Sequence, residues 1–208
     1  METQERILHK SHELYMKYGI RSVSMDEIAA HLGISKKTIY QYYADKDALV
    51  AAVVDIEINN TECECGDHKD KSENAVHEIF LAMDMLQEMF ANLNPSIIYD
   101  LEKYHPKTYK RFMDHHNKFM YNVIKENLER GITEKIYRED LNTDIIARFR
   151  LASMFSIFNT DYFPQGKYQL ANICNEITKH FLHGIVSENG QKLVLQYQNQ
   201  RETKTTTI

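Results

Sequence analysis

Along the first third of the chain, apolar side chains recur at the three-and-four spacing of a helix face, cut by residues that start and stop helices. Ile7, Leu8, Ser11, Leu14, Tyr15 and Tyr18 form one stripe and predict a helix from Thr3 to Tyr18. Gly19 is suited to closing it, with Ile20 as the apolar residue that folds back. Ser24-Met25-Asp26-Glu27 has the form of a capping box, in which the serine caps and the glutamate reaches back. Ile28, Ala29 and Leu32 give the second helix its buried side, and Gly33 stops it. Ser35 caps a third, short helix from Lys36 to Tyr42, and Asp45 a fourth expected to reach the low sixties. After a polar break near 63–71, amphipathic stretches predict helices near 72–92, 95–104, 106–130, 142–159 and 165–186. The breaks between them are Asn94-Pro95, His105-Pro106, Gly131 and Phe163-Pro164. Residues 203–208 are expected to fray as a tail.

Composition agrees with an all-α fold: seven glycines and three prolines in 208 residues leave little material for turn-rich sheets. The N-terminus carries Glu2, Glu5 and Arg6 where a secretion signal needs an apolar run, and the apolar stretch around 151–158 is too short to span a bilayer. Three cysteines, an odd number, make no disulfide framework. A cytoplasmic protein without a membrane segment is expected. The net charge of −5 argues against general coating of nucleic acid, yet it is unevenly placed. Residues 1–50 hold seven basic and seven acidic groups, and the remainder hold 18 and 23. Salt screens charges beyond about 10 Å, so a focused cluster of cations still reaches a DNA partner.

Such a cluster lies between Ser24 and Tyr43. Two helices that cross steeply need a small residue at the crossing, which Ala29 supplies, and a tight turn with positive φ, which Gly33 supplies. Ile28, Leu32, Ile34, Ile39 and Tyr42 fall where such a pair is locked, while Tyr43 reads as core. The second helix of a helix-turn-helix enters the major groove with its N-terminal residues on base edges. Here these are Lys36, Lys37 and Thr38, with Gln41 one turn on; lysine donates to guanine and glutamine pairs with adenine. Tyr40 and Lys46 are candidate phosphate anchors, and Ser24 and Ser35 sit at helix N-termini that favour anions.

The segment from Met25 to Leu49, including the run Gly33-Ile34-Ser35-Lys36-Lys37-Thr38-Ile39-Tyr40-Gln41-Tyr42-Tyr43, resembles the head of the tetracycline-repressor (TetR) family. In that motif the recognition helix continues into a tyrosine-x-x-aromatic, then a loop with a lysine; Tyr40, Tyr43 and Lys46 match. Lys37 stands where the family often has glycine, and Tyr43 where it often has phenylalanine. The resemblance implies a three-helix head over 1–47 and a larger helical-bundle domain for ligand binding and dimerisation over 48–208. It implies a homodimeric repressor, not an enzyme, seated on a palindromic double-stranded DNA operator and released by a small-molecule effector.

The larger domain offers weaker signals. Aromatic, methionine and polar positions on apolar helix faces give a candidate pocket: Phe80, Met83, Gln87, Tyr99, Tyr104, Phe112, His116, Phe119, Met120, Phe155 and Phe158. The same residue types fill ordinary cores. Two stripes near the C-terminus give a candidate dimer interface: Ile145, Ile146, Phe149, Ser153, Met154 and Ile157, facing Ala171, Cys174, Ile177, Thr178 and Phe181. Cys63-Glu64-Cys65 with His68 is too closely spaced for a usual zinc site and reads as a polar helix end; no metal or cofactor is expected. His115 and His116 are adjacent on a helix and point about 100° apart, which disfavours one shared metal. Two alternatives stay open: a DNA-binding regulator without a ligand, and an enzyme whose head resembles a regulator.

Overall fold

A computed structural model describes residues 2–91, 93–164 and 166–206, side chains of 202–206 excepted. Among these residues the regular structure is helical, apart from an isolated antiparallel bridge between Tyr137 and Val186. The helices are α1 (Thr3–Tyr18), α2 (Met25–Leu32), α3 (Lys36–Tyr42), α4 (Lys46–Lys71), α5 (Ala75–Ala91), α6 (Ile97–Tyr104), α7 (Pro106–Thr133), α8 (Thr143–Ser156), α9 (Leu170–Ile185) and α10 (Glu188–Thr206).

The first three elements follow the expected bounds, and their ends explain why. Ser24 accepts from the Glu27 N–H, and the Glu27 carboxylate accepts from the Ser24 N–H, so the box is closed in both directions. Gly33 takes the left-handed conformation (φ 65°, ψ 31°), and the N–H of Ile34 reaches the Ala29 carbonyl at 3.1 Å. Asp45 caps α4 through the Ala48 N–H at 2.8 Å.

Four expectations are corrected. The polar break near 63–71 does not exist: α4 runs through it to Lys71, because capping and apolar patterning end earlier than helix propensity does. Gly131 does not end α7; it lies inside the last turn, where an added Cβ would meet the Tyr137 ring at 2.0 Å, so its role is close approach. The C-terminal segment, expected to carry no element and to fray from residue 203, forms α10 up to Thr206; 207 and 208 lie outside the described residues. Tyr18 and Tyr42, expected on buried faces, are exposed, while Tyr43 is buried as expected.

The chain forms two compact units: Met1–Cys63 with Asn92–His116, and Glu64–Ala91 with Asn117–Ile208. A boundary by role after Asp47 falls inside the first unit, since Leu49, Val50, Val53 and Val54 of α4 share one core with Ile7, Tyr15, Ile28, Ile39 and, from α6, Ile97 and Leu101. In the second unit α5, α9 and α10 pack around Val76, Phe80, Leu182 and Val194. There Tyr137 is fully buried, donating to Asn127, which in turn donates to the Ala75 carbonyl, both at 3.0 Å.

Candidate DNA interface

α3 is anchored by one side chain. Ile39 is 0% exposed and enters the core of the first unit. The rest of this two-turn helix faces outward: Lys36, Lys37, Tyr40, Gln41 and Tyr42 are exposed and Thr38 is half-buried. A helix fixed by one apolar contact and its own caps is a presenting surface, which is what base-edge reading requires.

The caps also orient the reading side chains. Ser35 accepts from the Thr38 N–H at 3.1 Å, and the two hydroxyls lie 2.9 Å apart, which aims Thr38 at the N-terminal end of the helix. Lys36 donates to Asp26 at 2.7 Å, with both groups exposed, and this bond raises the ammonium pKa above its ordinary value. An exposed pair of that kind exchanges readily for a phosphate. Lys37 has no acid partner among the described residues and is the more available cation.

Two expected anchors have other work. The Ser24 hydroxyl donates to Glu27 at 2.9 Å, so a carboxylate already occupies that helix N-terminus, and Ser24 is foremost a cap. Lys46 is half-buried and donates to the carbonyls of Ile20 and Val23, each at 2.6 Å, with its ammonium 5.8 Å from the Tyr15 ring centroid. Burial lowers its pKa from the ordinary value. Lys46 thus ties the start of α4 to the α1–α2 loop.

Sequence reasoning missed a shallow cleft of about 420 Å³ on α1, lined by Arg6, His9, Lys10, His12, Glu13 and Leu32. Arg6 donates to the Leu32 carbonyl at 3.4 Å, and His12 pairs with Glu57 of α4. The i, i+3, i+4 spacing of Arg6, His9 and Lys10 was the available signal.

The candidate pocket residues divide between the units. In the first unit, Tyr99 (55% exposed) and Tyr104 are surface residues stacked near Lys103 and Arg21, not walls of a cavity. Phe112 and His116 are half-buried, with ring centroids 5.8 Å apart, and burial pushes the His116 pKa down to about 4. In the second unit, Phe80 and Met83 are buried in the core, and Gln87 accepts from Arg201 at 3.1 Å. Met120 is buried; Phe119, Phe155 and Phe158 are half-buried, and Phe158 meets Phe90 edge-on at 5.9 Å.

Of the expected interface positions, Ile157, Thr178 and Phe181 are buried inside the second unit, because they lie on the inward sides of α8 and α9. Ile146, Ser153, Met154, Ala171, Cys174 and Ile177 are half-buried, whereas Ile145 and Phe149 are 60% and 58% exposed. Cys63 is exposed, and burial raises the Cys65 thiol to about 11. His115 pairs with Glu62 at 2.7 Å, away from His116. Among the described residues no three His, Cys, Asp or Glu side chains converge as metal ligands, and no helix is long and apolar enough to cross a membrane.

Comparison with known proteins gives this geometry a context. Residues 7–53 match the family described as "Bacterial regulatory proteins, tetR family". The chain is 25% identical over 185 residues to the HTH-type transcriptional regulator YvaF of Bacillus subtilis, covering 88% of this chain and 96% of that one. Two solved structures share the fold. One is a transcriptional regulator from Saccharomonospora viridis in complex with choline (TM-score 0.69, 16% identity, 89% of this chain and 98% of that one). The other is the transcriptional regulator FadR from Bacillus subtilis in complex with stearoyl-CoA (TM-score 0.62, 15% identity, 87% and 98%).

Proposed function

We propose that the chain, whose residues 7–53 match the TetR family of bacterial regulatory proteins, is a DNA-binding transcriptional regulator of that family, a homodimeric repressor released from a palindromic operator by a small molecule. The observation that carries the DNA reading is α3: seven residues held by Ile39 and the helix's own caps, with Lys36 and Lys37 exposed at the end that enters the groove and Gln41 exposed one turn on. Lys36, Lys37, Thr38 and Gln41 read base edges, and Tyr40 meets phosphate. Lys46 positions α4 beneath them.

One α3 reads only a few base pairs, so specificity calls for two heads on half-sites about one helical turn, or a multiple of it, apart. Ile145 and Phe149, one turn apart on α8 and exposed, supply an apolar face for a second copy. That a ligand drives release is supported by the fold neighbours holding choline and stearoyl-CoA. Such a ligand acts only if it binds the released arrangement more tightly than the DNA-bound one. The test is selection of bound fragments from random and genomic DNA. A two-fold symmetric consensus is the expected product; enrichment of no consensus would end this reading.

A further inference from the structure

α8 turns one stripe inward, formed by Ala147, Arg150 and the half-buried Met154, with Ile157 just past its end. Ala147 is 0% and Ile157 4% exposed, and between them Arg150 is only 9% exposed. Arginine is among the residues least often buried, and when buried it is normally paired with an acid. Here no carboxylate of the described residues pairs with it. One of its five N–H donors reaches the Thr178 hydroxyl of α9 at 2.7 Å. The Phe181 ring lies 5.1 Å from the guanidinium carbon. Cys174, one turn before Thr178, supplies no counter-charge, because burial raises its thiol above the ordinary value and keeps it neutral. The remaining guanidinium N–H groups have no hydrogen-bond partner among the described residues.

The geometry points to Arg150 as the headgroup site for an amphipathic organic anion, its carboxylate or phosphate on the guanidinium and its apolar tail among the aromatic side chains of α8 and α9. This names the ligand class of the regulator proposed above and rests on that reading. A cation buried without an acid is unfavourable in the free protein, and an entering anion removes the deficit with charge-assisted, bidentate hydrogen bonds. The tail has apolar company: Phe181 covers one side of the guanidinium, and just past the C-terminal end of α8 lies Phe158, in contact with Phe90 of α5. The fold alone leaves the ligand open, since its relatives are found with a cation in one case and an acyl thioester in the other. Arg150 would repel the first kind.

The test compares probes of equal chain length: decanoate, decyl phosphate, decanol and decyltrimethylammonium, all below their micelle concentrations. Binding is read by calorimetry and by the shift in melting temperature. The wild type is expected to bind decanoate or decyl phosphate about 10- to 100-fold more tightly than decanol, the range that charged hydrogen bonds give, and the cation not at all. Whichever of the two anions wins identifies the headgroup. Arg150→Met is expected to erase the preference while melting at or above the wild-type temperature, because replacing an unpaired buried ion with an apolar side chain is neutral or stabilising. Arg148→Met, which removes the exposed arginine paired with Asp144, leaves the preference intact. Equal affinity of the wild type for decanoate and decanol, a measurement that needs no variant, overturns the inference. So does a preference that survives Arg150→Met, or an Arg150→Met protein that melts far lower and changes only its oligomeric state. DNA binding by the wild type is followed separately. Its absence would count against the regulator reading, while intact DNA binding without anion preference would overturn only the ligand class.

Discussion

Replacing Lys46 with methionine separates two roles that the sequence leaves merged. Methionine keeps most of the apolar stem beside Tyr15 and removes the ammonium. The lost interactions are the donations to the carbonyls of Ile20 and Val23, each at 2.6 Å. A hydrogen bond from a charged group contributes about 1.5–3 kcal/mol. Two such bonds would exceed that range, but Lys46 is half-buried and part of the gain is offset by desolvation, the cause of its lowered pKa. A net loss of about 2 kcal/mol follows, or about 4–8 °C in melting temperature for a chain of this size. The assay pairs thermal denaturation with DNA affinity measured across a salt series. If Lys46 positions the head, stability falls, binding weakens, and the slope of log affinity against log salt is unchanged. A phosphate-binding Lys46 predicts the reverse: full stability and a slope smaller by about 0.9. That second outcome would refute the structural role assigned to Lys46.

Lys37→Ala should leave melting unchanged, because the side chain is exposed and has no acid partner among the described residues. It should cost about 1–3 kcal/mol at one base position if it reads a base, measured by competition among single-base operator variants. His116→Gln tests the buried imidazole. Its folded pKa is depressed from 6.5 to about 4, so the native state stays neutral while the unfolded chain takes up a proton. Stability is therefore lost as pH falls from about 6.5 towards about 4. Between about pH 7.5 and about pH 5 the wild type should lose about 1–2 kcal/mol more than the variant, after discount for its partial exposure, in urea titrations at each pH. Phe149→Glu places a charge on the exposed apolar face of α8 and should dissociate the dimer in sedimentation without lowering the melting temperature of the protomer, since Phe149 is 58% exposed. A wild type that is monomeric at micromolar concentration would remove the premise.

The head was legible because local signals and tertiary packing agree there. Ser24 and Glu27 close a box that depends on four consecutive residues, Gly33 adopts the one conformation in which it surpasses any other residue, and Ser35 caps its own helix. Legibility stopped where a side chain's partner is distant in sequence. Lys46 looks like an outward cation in its loop, yet its acceptors, Ile20 and Val23, lie on the other side of the helix-turn-helix. The register of the aromatics failed for a related reason. Tyr40, Tyr42 and Tyr43 have nearly the same chemistry, and only the short length of α3, with its end at Tyr42, decides that Tyr43 turns inward while its neighbours face solvent.

In the second unit, periodicity located the helices but could not tell which of two apolar stripes on α8 faces the protomer's own core. Ile145 and Phe149 form one stripe, Ala147, Met154 and Ile157 the other, and the only polar member of the second is Arg150. Apolar spacing alone placed Ile157, Thr178 and Phe181 on the same expected surface as Phe149. The structure reverses that assignment: Arg150 is buried beside Thr178 and Phe181, and Ile145 and Phe149 are exposed. A residue that breaks the pattern of its own helix without a local acid to compensate is where sequence rules give way to function. Among the inward positions of α8, Arg150 alone carries a charge, and its contacts with Thr178 and Phe181 leave that charge without an acid. The ligand class is therefore to be sought at the violation of the helical pattern, in a side chain that a search for aromatic pocket walls passes over.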